Sequence, residues 1–213
     1  MQPDLELVRI GDTESFKAWE HGYPFHTVRW HFHPEYELHL VCATSGRYFI
    51  GDFIGQFVPG NLVLVGPNLP HNWISEVADG ATVPLRSRVM QFTEAFVSRT
   101  IDVFPELTAT RQLFERSRAG VLFSAETSAT ISSMMGKLIH VSGAERIALF
   151  LGIIAALDKD RGAQTLTSQH YVPDPSGFMS TGINEVLSYI NDNLTEVLDE
   201  TTLAQLAGVT PST

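Results

Sequence analysis

Three histidines and one glutamate have the side chains from which proteins build sites for divalent metals. His31, His33 and Glu37 lie close together in the chain, and His71 follows a second, turn-rich stretch. On a β-strand, residues two positions apart point to the same face, so the first three would share one side. Three imidazoles and one carboxylate predict a site for Zn, Ni, Fe or Mn, without distinguishing among these metals.

The stretch around these residues, WHFHPEYELHLV at residues 30–41, alternates titratable and apolar side chains. This period of two is typical of a β-strand with two different faces. We interpret Glu35 and His39 as residues just behind the ligands or at the rim of the site, and solvent exposure is the alternative. The titratable face would carry His31, His33, Glu35, Glu37 and His39, and the apolar face Trp30, Phe32, Tyr36, Leu38 and Leu40.

A ligand site without metal is a second interpretation of the same residues. A polar cavity lined by His, Glu and Trp side chains binds a sugar or a related polar metabolite through hydrogen bonds alone. In either case the ligand-binding residues would be His31, His33, Glu37, His71, Tyr48 and Trp73. Tyr48 and Trp73 would form an aromatic wall, and simple core packing is the alternative for both.

Composition limits the partners and the compartment. The net charge of -10 and the pI near 5.2 argue against broad contact with a phosphate backbone, which needs clustered Lys and Arg. The single cysteine, Cys42, excludes an internal disulfide. The start of the chain has no secretory pattern, and the most apolar run, residues 147–157, is too short to span a membrane. We therefore expect a cytoplasmic protein with no membrane partner.

The elements that must position the candidate ligands are short strands. Residues 1–92 contain brief apolar or alternating runs separated by turns such as TSGR, VPGN and GPNLP. Such spacing predicts a β-barrel or sandwich with no room for crossover helices.

Residues 93–162 have a helical pattern instead. We predict helices over 94–104 and 107–118, a strand at 120–123, a helix from the N-cap Ser124 to 139, and a helix to 160 that begins with a capping box of Ser142 and Glu145. The last helix is apolar on almost every side. One face can cover the barrel, and the rest favours a homodimer, with a fully buried core helix as the alternative.

Residues 163–180 have a linker composition, and residues 181–213 form a new helical unit. Apolar residues at three- and four-residue spacing predict a helix over 183–194. Asp199 would cap a second helix that ends at Gly208. A small amphipathic helix pair for protein contact is the alternative to a functional motif here.

Two motifs resemble those of the cupin superfamily. HxHxxxE at 31–37 and PGNLVLVGPNLPH at 59–71 are similar to the two short motifs that place metal ligands inside a small barrel, a double-stranded β-helix. This resemblance implies a cupin-like barrel. Together with the helical pattern of residues 93–162 and the C-terminal unit, it leads us to predict an α+β fold class, in which the barrel is followed by a helical dimerisation region and a partial helix-turn-helix.

The segment LAQLAGVTPST resembles the first helix and turn of the DNA-binding domain of the AraC/XylS family of transcriptional regulators. Members of this family have the same order of segments: a sensor, a helical region, a linker and a helix-turn-helix. The resemblance implies an effector-responsive regulator in which Ser212 and Thr213 begin the DNA-binding recognition helix. The second helix-turn-helix is missing, and residues 162–213 contain no Lys or Arg, so we expect DNA binding in the full-length protein but not in this truncated chain.

An enzyme is the alternative function. A metal-dependent cupin isomerase or dioxygenase would use the same four ligands with an open coordination position for substrate. That interpretation does not explain the capped helices after the linker. We therefore expect a regulator rather than an enzyme.

Overall fold

The alternating runs of the first half of the chain form short strands. The computed structural model describes residues 3–25, 29–171, 186, 189–190, 193 and 198–210. Its strands are β1 (Asp4–Leu5), β2 (Lys17–Tyr23), β3 (His31–Phe32), β4 (Tyr36–Val41), β5 (Gly46–Ile50), β6 (Phe53–Phe57), β7 (Leu62–Val65), β8 (His71–Ser75), β9 (Val83–Phe92), β10 (Val121–Leu122) and β11 (Gln164–Thr165).

These strands make two sheets. The five-stranded sheet has the order β1-β3-β8-β5-β6, and the six-stranded sheet has the order β11-β10-β7-β4-β9-β2. The β1–β3 pair is parallel and the other pairs are antiparallel. Tyr48 and Trp73 of one sheet pack with Val63 and Val65 of the other, so the sheets face each other across a shared core.

Strand β4 separates the two cores of this unit. Its Leu38 and Leu40 side chains pack into the core beneath the helices. Val41 belongs to the core between the sheets. Glu37 and His39 share the face of Val41, because strand residues two apart point the same way. The alternation in the sequence therefore becomes a polar inner face and an apolar outer face.

The helices follow the sheets. They are α1 (Glu94–Val103), a 3₁₀-helix (Pro105–Thr110), α2 (Arg111–Ser117), α3 (Ala125–Leu138) and α4 (Gly143–Asp158). Their apolar side chains, among them Ile131, Phe150 and Ile154, cover the outer face of the six-stranded sheet. The predicted α+β fold class is confirmed.

Four local predictions differ from the structure. The single strand over 30–41 is interrupted at Pro34, which has no N–H to donate to a ladder. The predicted helix over 107–118 is a 3₁₀ segment followed by α2, because the Thr108 and Thr110 hydroxyls bond to carbonyls three residues back.

The other two differences concern the start of α4 and the predicted linker. Ser142 stands at the N-cap of α4 but its side chain accepts no hydrogen bond, so the capping box is not formed. The predicted linker contains strand β11, and the Leu166 and Thr167 amides donate to the carbonyl of Ala119.

Residues 3–171 belong to one compact unit, and the described residues from 186 onward belong to a second. In the second unit Val186, Tyr189 and Ile190 are helical, and α5 spans Glu200–Ala207. Asp199 caps α5 by accepting from the Thr202 amide, and Gly208 ends it with a left-handed backbone, as predicted. Most of the predicted helix over 183–194 lies outside the described residues, as do Ser212 and Thr213.

Candidate functional site

The four predicted ligands converge from both sheets. Between Phe32 and Tyr36 the chain passes from the five-stranded to the six-stranded sheet, so His31 and Glu37 come from different sheets. His31 stands directly opposite His71 in the β3–β8 pairing. One donor atom from each of His31, His33, Glu37 and His71 lies within 4.8 Å of the others.

His71 offers an open lone pair to this cluster. Its Nδ1 donates to the carbonyl of Leu69 at 2.7 Å, which leaves Nε2 without a proton on the neutral ring. Burial lowers the pKa of His71 well below its ordinary value, and the charge of the nearby His31 lowers it further. Nε2 is buried, has no hydrogen-bond partner and lies 3.8 Å from Glu37 Oε1. This is the form of imidazole that binds metals.

His31 is also oriented by the backbone. Its Nδ1 lies 2.7 Å from the carbonyl of Arg29, and its Nε2 lies 3.1 Å from Glu6 Oε2. Burial disfavours the charged ring, but the hydrogen bond to Glu6 and the charge of Glu37 outweigh it and raise the pKa of His31. The hydrogen bond to His31 in turn lowers the pKa of Glu6.

His33 is fully buried between two oxygen atoms. Its Nδ1 lies 3.2 Å from the carbonyl of Glu35, and its Nε2 lies 3.1 Å from Glu37 Oε2. The Glu35 Oε2 atom lies 3.6 Å from His33 Nδ1 and is buried without a hydrogen-bond partner. Burial raises the pKa of the Glu35 carboxyl, which is not among the four converging ligand groups.

Glu37 is held by one donor from its own strand, β4, and one from the neighbouring strand β9. Oε1 accepts from His39 Nδ1 at 2.9 Å, and Oε2 accepts from Gln91 Nε2 at 2.9 Å. Burial alone would raise the pKa of Glu37, but the hydrogen bonds from His33 and His39 hold it well below the ordinary value. The carboxylate therefore stays ionised inside the protein, as a metal ligand must.

Sequence reasoning missed the residues of β2 and β9 that support the ligands. Gln91 stands opposite Glu37 in the β4–β9 register, and its Oε1 accepts from Trp19 Nε1 at 3.1 Å. Ser87 Oγ lies 3.1 Å from His39 Nε2. The only local signal was a polar Gln inside the apolar run VMQF, since strand pairing itself is not visible in the sequence.

The two predicted aromatic residues occupy different positions. Trp73 stacks on His39 with ring centroids 3.9 Å apart and planes 8° apart, and both rings line a cavity. Tyr48 lies behind Trp73, with ring centroids 6.1 Å apart, and belongs to the core between the sheets. Trp73 is therefore in contact with the cavity, whereas Tyr48 supports it from behind.

The cavity connects the candidate ligands to a set of aromatic and cationic side chains. It has an empty volume of about 410 Å³, counted with its open mouth. His31 and Glu37 form one part of its wall. The rest of the wall is formed by Glu6, Trp19, His21, Phe25, His39, Asn72, Trp73, Arg86 and Val89.

The family model for the AraC-like ligand binding domain matches residues 16–169. The chain belongs to this AraC-like ligand-binding domain family. Its fold is cupin-like, with the cavity between the two sheets. A search of curated proteins finds no match to this AraC-like domain.

Several solved structures are similar to this AraC-like domain at low sequence identity. The AraC-like transcriptional activator CuxR is 12% identical with a TM-score of 0.44, over 84% of this chain and 59% of CuxR. ToxT from Vibrio cholerae, in its unsaturated fatty acid-bound form, is 12% identical with a TM-score of 0.46, over 95% of this chain and 72% of ToxT. A cupin 2 conserved barrel domain protein from Salinispora arenicola is 16% identical with a TM-score of 0.29, over 46% of this chain and 98% of that one.

Within the described part of this AraC-like domain, every helix is too short or too polar to cross a lipid bilayer.

Proposed function

We propose that this chain is the effector-sensing part of an AraC-type transcriptional regulator and that His31, His33, Glu37 and His71 hold a divalent metal at the cavity wall. The observation that carries the metal proposal is the buried Nε2 of His71, which has no hydrogen-bond partner and faces an ionised carboxylate. An unsatisfied buried acceptor is costly, and a metal ion would satisfy it.

The donor set suits a borderline metal. Three imidazole nitrogens and one carboxylate oxygen are the ligands that Zn, Ni, Fe and Mn accept in proteins. A bound metal would supply a Lewis-acidic contact for a polar effector. The protein's own contribution is to orient the ligands, through the Leu69 carbonyl on His71 and the His39 and Gln91 donors on Glu37.

The effector would act on the attached DNA-binding unit by binding one arrangement of the protein better than another. It can shift that equilibrium only by its differential affinity for the two arrangements. In the full-length regulator, α5 and the left-handed turn at Gly208 would begin the helix-turn-helix. The present chain has no Lys or Arg after residue 161, so we expect no measurable DNA affinity by fluorescence anisotropy.

Metal analysis of the purified chain tests the proposal. We expect stoichiometric Zn, Ni, Fe or Mn after reconstitution and a higher melting temperature than in the chelated protein. His71→Ala should abolish both effects, whereas His140→Ala, at an exposed helix end, should abolish neither. A melting temperature that no metal and no small polar metabolite changes would contradict the sensor proposal.

A metal-dependent enzyme is the second candidate, because His31 and Glu37 reach the cavity where a substrate could bind. Multiple turnovers of a candidate substrate by the metal-loaded chain would favour the enzyme. Saturable binding without turnover would favour the sensor.

A further inference from the structure

A buried arginine forms part of the cavity wall. Arg86 lies on β9 and is 2% exposed, which makes it the largest fully buried side chain of the described residues. Its guanidinium donates to Ser75 Oγ at 2.7 Å, to Ser87 Oγ at 3.3 Å and to the carbonyl of Trp73 at 2.9 Å. A guanidinium has five N–H groups, so these three acceptors leave two unused.

The charge of Arg86 has no counter-charge in the part of the chain that the structure describes. All three of its acceptors are neutral oxygens. Among the described residues, no Asp or Glu carboxylate forms an ion pair with Arg86 within 4 Å. Burial lowers the pKa of Arg86 to about 10, which still leaves the group charged at neutral pH. Buried charges are normally paired, so an unpaired one facing a cavity indicates that the partner comes from outside.

The cavity around Arg86 favours an anion with an apolar body. Trp19 and Phe25 stand on one wall with ring centroids 5.6 Å apart, and the stacked Trp73 and His39 rings form another. Arg86 is the one arginine or lysine among the described residues that line this cavity. The cation that meets a ligand at this end of the cavity is therefore Arg86.

We propose that the effector is a small carboxylic acid whose carboxylate is bound by Arg86, with its apolar part between Trp19 and Trp73. This proposal rests on the sensing function above and specifies its ligand class. The planar guanidinium fork matches a carboxylate with two parallel hydrogen bonds, which a lysine at this position would not provide. The effector would thereby contact Arg86 at one end and the His31–Glu37 side of the cavity at the other.

Matched pairs of carboxylates and neutral amides test this class on the intact chain. The probes are acetate with acetamide, benzoate with benzamide, and succinate with succinamide, each titrated against metal-loaded and chelated protein by calorimetry and tryptophan fluorescence. We expect at least one carboxylate to bind at least tenfold more tightly than its amide. Equal binding within every pair, or no binding of any carboxylate, would overturn the assignment.

Variants of Arg86 locate the interaction. Arg86→Gln should remove the preference for the carboxylate while leaving the affinity of the amide unchanged, and Arg86→Lys should retain part of it. Arg88→Gln is the matched control, because Arg88 lies on the same strand and donates to Ser132 of α3 rather than lining the cavity. If Arg86→Gln does not fold, as judged by circular dichroism, the wild-type pairs decide the question by themselves.

The two proposals fail in different ways. Metal binding, or stabilisation by a neutral metabolite such as glucose, without any preference for carboxylates would leave the sensor intact and remove the anionic ligand class. Loss of all metal and small-molecule binding would remove both.

Discussion

At the scale of single residues, the Glu37 carboxylate is the end point of two series of hydrogen bonds. In one, Arg86 donates to Ser87, and Ser87 and Glu37 bond to the two nitrogens of His39. In the other, Trp19 donates to Gln91 and Gln91 donates to Glu37. Both series begin at side chains of the cavity wall, so a ligand in the cavity would contact residues bonded to the proposed metal ligand.

Removing one of these donors should weaken metal binding without abolishing it. We expect Gln91→Leu to lower metal affinity roughly 10–100-fold, the usual effect of losing a group that orients a ligand. Gln56→Leu, at an exposed position of β6, is the control and should not change affinity. Competition titration with a chromogenic chelator measures both, and equal affinities would show that Gln91 does not orient Glu37.

The His21 ring should make stability depend on pH in the acidic range. Burial lowers the pKa of His21 to about 4, from the ordinary 6.5. Between these values the unfolded chain binds a proton that the folded chain does not, so stability is full above pH 6.5 and is lost as the pH falls towards 4.

His21→Phe should remove this part of the loss, since Phe can still stack on Phe25. We expect the difference in unfolding free energy between wild type and variant to change by up to about 3 kcal/mol between pH 7 and pH 4. Urea denaturation at a series of pH values measures it. If the unfolding free energies of the two proteins changed with pH in parallel, folding would not lower the pKa of His21.

At the scale of the elements, the two long helices begin differently although both have a serine at the N-cap. Ser124 accepts from the Thr127 amide at the start of α3, and its own amide donates to Asp160. Ser142 at the start of α4 accepts no such bond and is followed by Gly143 with a φ of 58°. The left-handed backbone at Gly143 turns the chain so that the serine side chain does not cap the helix.

This difference predicts unequal effects of one substitution. Ser124→Ala should destabilise the fold by about 1 kcal/mol, the typical value of a lost N-cap. Ser142→Ala should change the unfolding free energy by less than about 0.5 kcal/mol, as at an ordinary surface site. Thermal or urea unfolding of both variants provides the comparison. Similar losses would mean that Ser142 caps α4 in solution.

At the scale of the whole molecule, α4 has both a covered and an uncovered side. Phe150, Ile153, Ile154 and Leu157 are buried in the core beneath the helices. Ile147, one turn before Phe150, is 37% exposed. One face of α4 therefore packs in the core, as expected. That the other face pairs with a second copy of the chain stays a prediction.

We expect the chain to form a dimer through α4 and Ile147→Glu to weaken it. A symmetric interface would bury the new charge twice, so we expect a rise in the dissociation constant of roughly 100-fold or more. Ile54→Glu, on β6 of the other sheet, removes an equally apolar and more exposed side chain and should have no such effect. Sedimentation velocity over a concentration series measures both, and a monomeric wild type would exclude this interface.

The amino-acid sequence alone determined the features that depend on near neighbours. The two-residue period produced the polar and apolar faces of β4, Ser124 and Asp199 predicted their caps, and the family-like motifs identified the four candidate ligands. These signals are local, because side-chain direction and capping are decided within a few residues.

Only the tertiary structure decided which strands stand beside each other. It placed His31 and Glu37 in different sheets and brought Gln91 opposite Glu37. It also buried Arg86 beside the cavity, where none of the described carboxylates pairs with it. The capping box at Ser142 was wrong for a different reason, since the left-handed backbone of the adjacent Gly143 keeps the serine side chain from capping α4. Strand pairing depends on contacts between residues far apart in sequence, and a single alternating pattern is compatible with many such pairings.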